Sequence, residues 1–321
     1  MKSHAVATLA TVLSLSALSL TGCAAFSDDA GDADTVSSAD EVRVAAAFHP
    51  LAYVAERVGG DEADVKNLTT PGGEPHDLEL SPQQTAQVAR ANLVVYLDGF
   101  QPSVDEAVET TAGGITFDVS DAVALRPAAD HDHEDEDEGE EHAEEEHDHG
   151  DSDPHFWQDP LLMADLGDAL AEQLAEIAPD RAEDFRANAG DLRDDLEALD
   201  AAYADGLAGC QRHTVVVAHD AFGYLARYGL EFEPIAGLSP DAEPTPADLA
   251  HLHEVIEEEG VTTVFYESLV SPDIAEQLAD DTGAEIGVLD PVEGLTDKTT
   301  DEDYLSLMEQ NLEALEEANG C

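Results

Sequence analysis

Short apolar runs alternate with helical segments along most of this chain. Such runs predict buried strands, and they lie within residues 41–47, 63–69, 92–99, 213–219, 261–267 and 284–291. Between the runs, Ser81 followed by Pro82 is typical of a helix start. A later apolar stripe at helical spacing is formed by Leu166, Leu170, Leu174 and Ile177. Because strands that alternate with helices form parallel sheets, the predicted fold class is α/β.

A long helical stretch separates this pattern into two halves. It begins after Pro179 and continues to about Leu207, with apolar residues at spacings of three and four. Either it is a rigid spacer between two lobes or it is an ordinary surface helix, and periodicity does not distinguish the two. We predict two α/β lobes with parallel sheets joined by a long rigid helix. The first lobe spans 41–178, the linking helix 179–208 and the second lobe 209–321.

The N-terminus has the pattern of a lipoprotein signal peptide. Shortly after Lys2 comes an uncharged apolar stretch of 16 residues, whereas a membrane-spanning helix needs about 20. The stretch ends in Leu-Thr-Gly-Cys, which resembles a lipobox that makes Cys23 the lipidated first residue of the mature protein. An ordinary secretory peptide is the alternative. We predict a signal peptide at 1–22, a flexible tether at 23–40, and a lipid-anchored location on the extracellular face of the cell membrane or in the periplasm.

Two further cysteines are present, Cys210 and Cys321. In an oxidising exterior, an even pair favours a disulfide over a metal site. Because Cys321 follows the last predicted helix, such a bridge would attach that helix to the second lobe. Two free thiols are the alternative, and a thiol-rich metal site is excluded because the cysteines are too few.

Acidic residues outnumber basic residues by 74 to 12, which gives a formal net charge of −62. Fifteen of the acids lie within residues 130–153, so the acidity extends over the rest of the chain as well. Such a surface repels nucleic acid and anionic lipid, and we predict no nucleic-acid partner. Adaptation to a saline habitat and attraction of cations are both consistent with this charge.

Four residues that suit a metal ion lie at or beside the carboxyl ends of predicted strands. They are His76 in GGEPHD, His155 in DPHFWQDP, His219 at the end of VVVAH and Asp290 in GVLDP. Open α/β sheets bind ligands at this edge, and each lobe contributes two of the four. Three imidazoles and a carboxylate suit tetrahedral Zn²⁺, whereas Ca²⁺ and Mg²⁺ prefer oxygen-rich sites. Each histidine alone is as compatible with an ordinary loop residue. A site with four protein ligands binds rather than catalyses, so no enzymatic activity is predicted.

The motifs resemble, in their order, those of the ZnuA/TroA-like solute-binding proteins of metal ABC importers. The resemblance rests on PGGEPHDLELSPQQ, ARANLVVYLDGF, DPHFWQDP, HDAFGYLARYGL, VTTVFYESLVSP and GVLDP. It implies two lobes bridged by a long helix, with the metal site in the cleft between them. The implied ligands are His76, His155, His219 and Asp290, with Glu267 as the alternative fourth ligand. Manganese-type members have a carboxylate where His219 stands, so the resemblance implies zinc.

The function implied by this resemblance is that of the extracytoplasmic zinc-binding component of an ABC importer, which acts as a monomer and delivers Zn²⁺ to a membrane permease. A manganese- or iron-binding component of a related importer is one alternative, and a metal-binding adhesin or zinc chaperone is another. The sequence contains neither an HExxH helix nor a GxSxG motif, so a secreted zinc hydrolase is not predicted.

An acidic segment at residues 130–153 interrupts the α/β alternation. It contains no aliphatic residue larger than Ala and no basic residue, so we predict a disordered loop. Its five histidines are His131, His133, His142, His147 and His149. Either these histidines bind additional zinc loosely or the segment is a solvated charge run, and the close pairing of the histidines favours the first interpretation. Outside this segment, we interpret His49 as structural or adjacent to the cleft.

Overall fold

Two four-stranded parallel sheets form the framework of the protein. The computed structural model describes residues 41–128 and 152–321. The first sheet has the spatial order β2-β1-β3-β4 and is built from β1 (Val42–Ala46), β2 (Ala63–Asn67), β3 (Leu93–Tyr96) and β4 (Ile115–Asp118). A short antiparallel pair follows, formed by β5 (Arg126–Pro127) and β6 (Ser152–Asp153). The second sheet has the order β10-β9-β7-β8 and is built from β7 (Thr214–His219), β8 (Glu231–Ala236), β9 (Thr263–Tyr266) and β10 (Glu285–Val288). The predicted pair of α/β lobes with parallel sheets is confirmed.

Helices connect the strands of both sheets. In the described part of the chain the α-helices are α1 (His49–Gly59), α2 (Pro82–Arg90), α3 (Pro102–Thr111), α4 (Pro160–Ile177), α5 (Ala182–Leu207), α6 (Pro246–Glu259), α7 (Asp273–Thr282) and α8 (Tyr304–Asn319). The helix start predicted at Ser81 is observed, and its side chain forms a capping box with Gln84. Across 41–128 and 152–321, no helix is both long enough and apolar enough to cross a bilayer.

One segment is less regular than the sequence indicates. The sequence predicts a helix after His219, but the chain forms a 3₁₀ helix at Gly223–Tyr228. This helix ends at Gly229, which has a φ of 89°, and the next strand begins two residues later. A short 3₁₀ turn therefore connects β7 to its neighbour β8, where the sequence suggested a longer α-helix.

The long helix α5 contacts both halves of the molecule. Its apolar face packs against α1 and α4, and it also contacts α8 near the end of the chain. The buried residues of this face are Phe185, Ala189, Leu192, Leu196, Leu199, Tyr203 and Leu207. At its C-terminal end, the Tyr203 hydroxyl donates a hydrogen bond of 2.7 Å to the Met308 carbonyl in α8. The helix is thus packed over its length, while the exact lobe boundaries on either side of 179–208 remain a proposal.

The larger of two apolar clusters in the described residues includes side chains from both sheets. Val44 and Val95 of the first sheet and Val215 and Val217 of the second belong to the same cluster of buried residues. A smaller cluster lies where α6 and α7 cover the second sheet, and it includes Val264. Because close-packed apolar contact links the lobes, large rotations of one lobe against the other would break the core.

Residues 152 and 153 are more regular than the sequence indicates. Ser152 and Asp153 were expected in the disordered loop, but they form β6, which pairs with β5. Asp153 is buried, and its carboxylate accepts a hydrogen bond from the backbone N–H of His155. Residues 129–151, which include the five histidines of the acidic segment, lie outside the described residues, as do the proposed signal peptide and tether.

The predicted disulfide between Cys210 and Cys321 is confirmed. It attaches the end of α8 to the segment before β7, where the backbone N–H groups of Gln211 and Arg212 also donate to the Asn319 carbonyl. The bridge closes a loop with a sequence separation of 111 residues.

Removing this bridge should destabilise the folded protein. We expect the Cys210→Ser/Cys321→Ser variant to lose roughly 2–4 kcal/mol of unfolding free energy, because a long covalent loop restricts the unfolded chain. Urea denaturation followed by circular dichroism measures the loss. A Cys23→Ser variant, which leaves the bridge intact, is the matched control, and equal stability of both variants would contradict the expectation.

Candidate metal centre

Four side chains from separate segments converge at one point between the two sheets. His76, His155, His219 and Glu293 each place one potential ligand atom within 4.8 Å of the others. The Nε2 atom of His76 lies 3.3 Å from Oε2 of Glu293. Nε2 of His155 and Nε2 of His219 each lie 3.3 Å from Oε1 of the same carboxylate. Glu293 is therefore the common neighbour of all three imidazoles.

Each of the four residues is placed by a different element. His219 is the last residue of β7, an interior strand of the second sheet. His155 directly precedes a 3₁₀ helix at Phe156–Gln158. His76 lies in the loop between β2 and α2, where the Gln101 amide donates a hydrogen bond of 2.9 Å to the Pro75 carbonyl. Glu293 lies in the loop after β10. Strand ends and their adjoining loops thus form the site, as expected for the ligand-binding edge of parallel sheets.

Four buried polar atoms at this point have no hydrogen-bond partner. They are Nε2 of His76, Nε2 of His155, Nε2 of His219 and Oε1 of Glu293. A buried polar atom without a partner costs about 1–3 kcal/mol, so four at one point indicate a ligand. A metal ion with tetrahedral coordination would bind all four atoms at once. Three imidazole nitrogens and one carboxylate oxygen fit Zn²⁺.

Two further carboxylates orient the imidazole rings from behind. The Nδ1 atom of His155 lies 2.9 Å from Oδ1 of Asp153. Nδ1 of His219 lies 2.5 Å from Oε1 of Glu267, which also accepts a hydrogen bond from the His219 backbone N–H. A carboxylate bound to Nδ1 turns Nε2 toward the ion and makes it a stronger donor. The same arrangement therefore recurs behind two of the three histidines.

Burial and charge act against each other in the pKa values of the site. Burial alone would lower the pKa of His219, but the Glu267 and Glu293 carboxylates outweigh it and raise the pKa to about 10. Burial also opposes the charged form of His155, yet Asp153 and Glu293 raise its pKa. Burial would raise the pKa of Glu293, but the three histidines hold it well below its usual range. The metal-free site is therefore an ionic cluster whose protons an incoming cation must displace.

Aromatic side chains shield the cluster from water. The rings of Phe100 and His76 lie 4.7 Å apart, and those of Trp157 and His155 lie 5.2 Å apart. His155 and His219 have no exposed side-chain surface, whereas 11% of the His76 side chain is exposed. His76 is thus the most accessible of the three histidines.

The structure brings together three of the four residues that the sequence indicated. Asp290 does not join them, because its Oδ1 accepts a hydrogen bond of 2.8 Å from the Val292 N–H within its own loop. Glu267, the alternative fourth ligand, instead contacts Nδ1 of His219. Glu293 is the fourth residue of the group, and the motifs of the sequence did not indicate it. Its signal was available, since Glu293 lies in the same loop after β10 and only three residues beyond Asp290.

His49 lies directly behind the fourth residue, in agreement with its interpretation as structural or adjacent to the cleft. Its backbone N–H, at the start of α1, donates to the Glu293 carbonyl at 3.3 Å. Burial lowers the pKa of the His49 imidazole to about 4, despite the opposing effect of Asp303. The ring is therefore neutral at physiological pH and belongs to the packing around the site.

The chain matches a known protein family over most of its length. The family model described as ZnuA, zinc-uptake complex component A, periplasmic, matches residues 44–318. The high-affinity zinc uptake system protein ZnuA of Bacillus subtilis is 33% identical over 294 residues, which cover 90% of this chain and 90% of that protein. The zinc-binding lipoprotein AdcA of Streptococcus pneumoniae is 34% identical over 285 residues, or 86% of this chain. Those residues span only 56% of the AdcA sequence.

Solved structures show the same architecture. The Zn(II)-bound ZnuA-like domain of Streptococcus pneumoniae AdcA superposes with a TM-score of 0.72 at 31% identity, covering 88% of this chain and 100% of the domain. The laminin-binding protein Lmb of Streptococcus agalactiae, described as a bifunctional protein with adhesin and metal-transporting activity, superposes with a TM-score of 0.74 at 26% identity. The superposition covers 99% of Lmb and 86% of this chain.

Metal binding should release protons from the site. Because the pKa of His219 is about 10, this imidazole is protonated at pH 7, and an ion that binds its Nε2 displaces a proton. We expect the calorimetric enthalpy of zinc binding at pH 7 to change linearly with the ionisation enthalpy of the buffer. The slope should correspond to the release of at least one proton. Affinity should rise as the pH increases from about 6.5 toward 10.

The ion pair between His219 and Glu267 also stabilises the metal-free fold. This stabilisation is complete below about pH 6.5, the pKa of a histidine in the unfolded chain, and it is lost as the pH rises through about 10, the pKa of His219 in the folded protein.

A Glu267→Gln variant tests the role of the carboxylate behind His219. We expect it to weaken the proton-corrected affinity for zinc by about 10–100-fold and to release fewer protons at pH 7, because His219 loses one of the two carboxylates that raise its pKa. Glu233→Gln, which alters a partly exposed carboxylate near the surface residue His251, is the matched control. Unchanged affinity and proton release in Glu267→Gln would show that this contact does not tune the site.

Proposed function

The chain belongs to the ZnuA family of zinc-uptake complex components, and we propose that it is the extracytoplasmic zinc-binding component of an ABC importer. Four buried potential ligand atoms without a hydrogen-bond partner carry this proposal, since three imidazole nitrogens and one carboxylate oxygen lie within 4.8 Å of one another. In this function Zn²⁺ is the cargo, held by His76, His155, His219 and Glu293. The family consists of substrate-binding transport proteins rather than enzymes.

Capture and retention depend on different parts of the proposed ligand set. His76 is the ligand with exposed surface, so it meets an arriving ion first. His155 and His219 lie deeper and are held by Asp153 and Glu267. Protein atoms fill all four tetrahedral positions, which leaves none for a water molecule that could attack a substrate. The same set therefore favours tight binding and disfavours hydrolysis.

The donor set supports zinc over the alternative metals. Imidazole nitrogen suits zinc and its neighbours in the first transition row, whereas manganese, calcium and magnesium prefer sites rich in oxygen. One carboxylate among three imidazoles also leaves the bound ion with a net positive charge, which the acidic surroundings of the protein compensate. We therefore expect Zn²⁺ to displace Mn²⁺ from this site.

Delivery in this proposal takes place at the membrane. Lipidation of Cys23 and a flexible tether at 23–40 would hold a monomeric body near the outer membrane surface, within reach of a permease. The zinc-binding lipoprotein AdcA offers a precedent for a lipid-anchored relative. The acidic segment, with histidines between His131 and His149, would bind further zinc loosely and raise its concentration nearby.

Zinc titration of the metal-free mature protein tests the main proposal. We expect one tight site that prefers Zn²⁺ to Mn²⁺ in a competition measured by calorimetry. The His76→Ala/His219→Ala variant should lose at least 100-fold in affinity, because two of four ligand atoms are missing. A His251→Ala/His253→Ala variant, which removes two histidines of the α6 surface helix, is the matched control and should bind as the wild type does. Preference for Mn²⁺, or an unchanged His76→Ala/His219→Ala variant, would refute the assignment.

Deletion of residues 131–149 separates the tight site from the acidic segment. We expect the deletion variant to keep the tight site with unchanged affinity and to lose weaker zinc-binding events, since none of the four converging residues belongs to that segment. Calorimetry at high zinc-to-protein ratios measures both classes of binding. Loss of the tight site in the deletion variant would place the main zinc ligands within the segment.

A further inference from the structure

The residue before Glu293 has an unusual backbone conformation. Val292 has a φ of 62°, and it is the one non-glycine residue with a positive φ in the described ranges 41–128 and 152–321. A β-branched side chain disfavours the left-handed region, because its Cβ substituents crowd the backbone. The valine side chain is also fully buried, so it has no freedom to relieve the crowding. Backbone strain of this kind persists only where the surroundings impose it, and it is frequent at ligand sites.

Hydrogen bonds on the N-terminal side of Val292 fix the loop to α8. Asn311 accepts a hydrogen bond of 2.9 Å from the Asp290 N–H and donates one of 2.6 Å to the Asp290 carbonyl. The Asp290 carboxylate then accepts from the Val292 N–H at 2.8 Å. Asn311 and Asp290 are both buried. These contacts fix the backbone on the N-terminal side of Val292.

Further hydrogen bonds attach the same loop to the segment that carries His155. The indole N–H of Trp157 and the amide of Gln158 both donate to the Pro291 carbonyl, at 2.8 Å and 2.6 Å. On the other side, the His49 N–H donates to the Glu293 carbonyl. The residues on either side of Val292 are thus held by separate elements, and Val292 adopts the conformation that joins them.

We propose that Val292 is a positioning residue whose left-handed backbone directs the Glu293 carboxylate toward the three imidazoles, and whose strain makes Glu293 the ligand that dissociates first when zinc leaves. Rotation of φ from 62° to the ordinary region near −60° would turn the chain by roughly 120° at this point. Such a rotation would carry Glu293 away from the histidines. The hydrogen bonds on either side of Val292 oppose this rotation, and zinc coordination by Glu293 adds to them, so part of the binding energy is spent in holding the strained loop. This inference rests on the proposed zinc-binding function.

Paired substitutions separate the backbone effect from the loss of side-chain packing. Val292→Gly and Val292→Ala both remove the buried side chain, but only glycine adopts the left-handed region without steric cost. We expect zinc to dissociate about five- to thirtyfold more slowly from Val292→Gly than from Val292→Ala, which corresponds to a left-handed cost of about 1–2 kcal/mol. Association rates of the two variants should be equal. Stopped-flow measurements with a zinc chelator give the dissociation rates.

A second pair and a spectroscopic measurement complete the test. Val264→Gly and Val264→Ala, in strand β9, change an equally buried valine whose backbone φ is not positive, and alanine should be the better tolerated of that pair. The visible spectrum of the Co²⁺-loaded protein reports tetrahedral coordination, so Val292→Gly should retain its intensity and Glu293→Gln should not. If the Val292 pair fails to fold, Val292→Asn against Val292→Thr makes the same comparison, since asparagine tolerates the left-handed region.

The outcomes distinguish this inference from the function on which it rests. Slower dissociation from Val292→Gly than from Val292→Ala, with a retained Co²⁺ spectrum, supports the positioning role. If wild-type protein binds zinc tightly but the two variants release it at the same rate, or glycine releases it faster, the positioning role is overturned and the zinc site stands. If wild-type protein shows no tight zinc binding, both are overturned.

Discussion

The carboxylate of Glu293 faces three imidazoles that come from separate parts of the fold. Glu293 is 2% exposed, and its two oxygens lie 3.3 Å from three ring nitrogens. Buried charges are costly unless other charges and hydrogen bonds compensate them. The three histidines compensate the charge of Glu293, and Asp153 and Glu267 in turn contact two of the imidazole rings from behind. A cluster of this kind is stable only if both lobes hold their parts of it in register.

The continuous core explains how that register is kept. Apolar side chains from both sheets belong to one cluster, and α5 packs along it. Two separately folded lobes joined by a flexible linker could close widely around a ligand, whereas lobes with a shared core move little. The movements that affect metal binding are then confined to individual loops. The loop from Asp290 to Glu293 is such a loop, because it combines a strained residue with hydrogen bonds to α1, to α8 and to the segment that carries His155.

Local signals in the sequence predicted most of the fold and three residues of the candidate site. Continuous apolar runs marked the buried strands, and Ser81 with Pro82 marked the start of α2, because periodicity and capping act within a few residues. The fourth residue depended on where a loop turns. Asp290 and Glu293 both follow β10, and the choice between them is made by the Val292 conformation and the Asn311 contacts, which the local sequence does not specify. Order at Asp153 likewise arises from distant partners, since Tyr224 donates to its carbonyl.

The short β5–β6 ladder also affects how this protein can change during evolution. Arg126 pairs with Asp153 and Pro127 with Ser152, so the chain leaves and re-enters the body at neighbouring positions. The pairing holds residues 127 and 152 side by side, and the entropy of joining two fixed ends rises only slowly with the length of the connecting chain. We therefore expect insertions and deletions between these strands to preserve the β5–β6 register and the position of the adjacent His155. The segment between β5 and β6 is therefore a position at which evolution or protein engineering can replace one sequence by another while the neighbouring metal centre is retained.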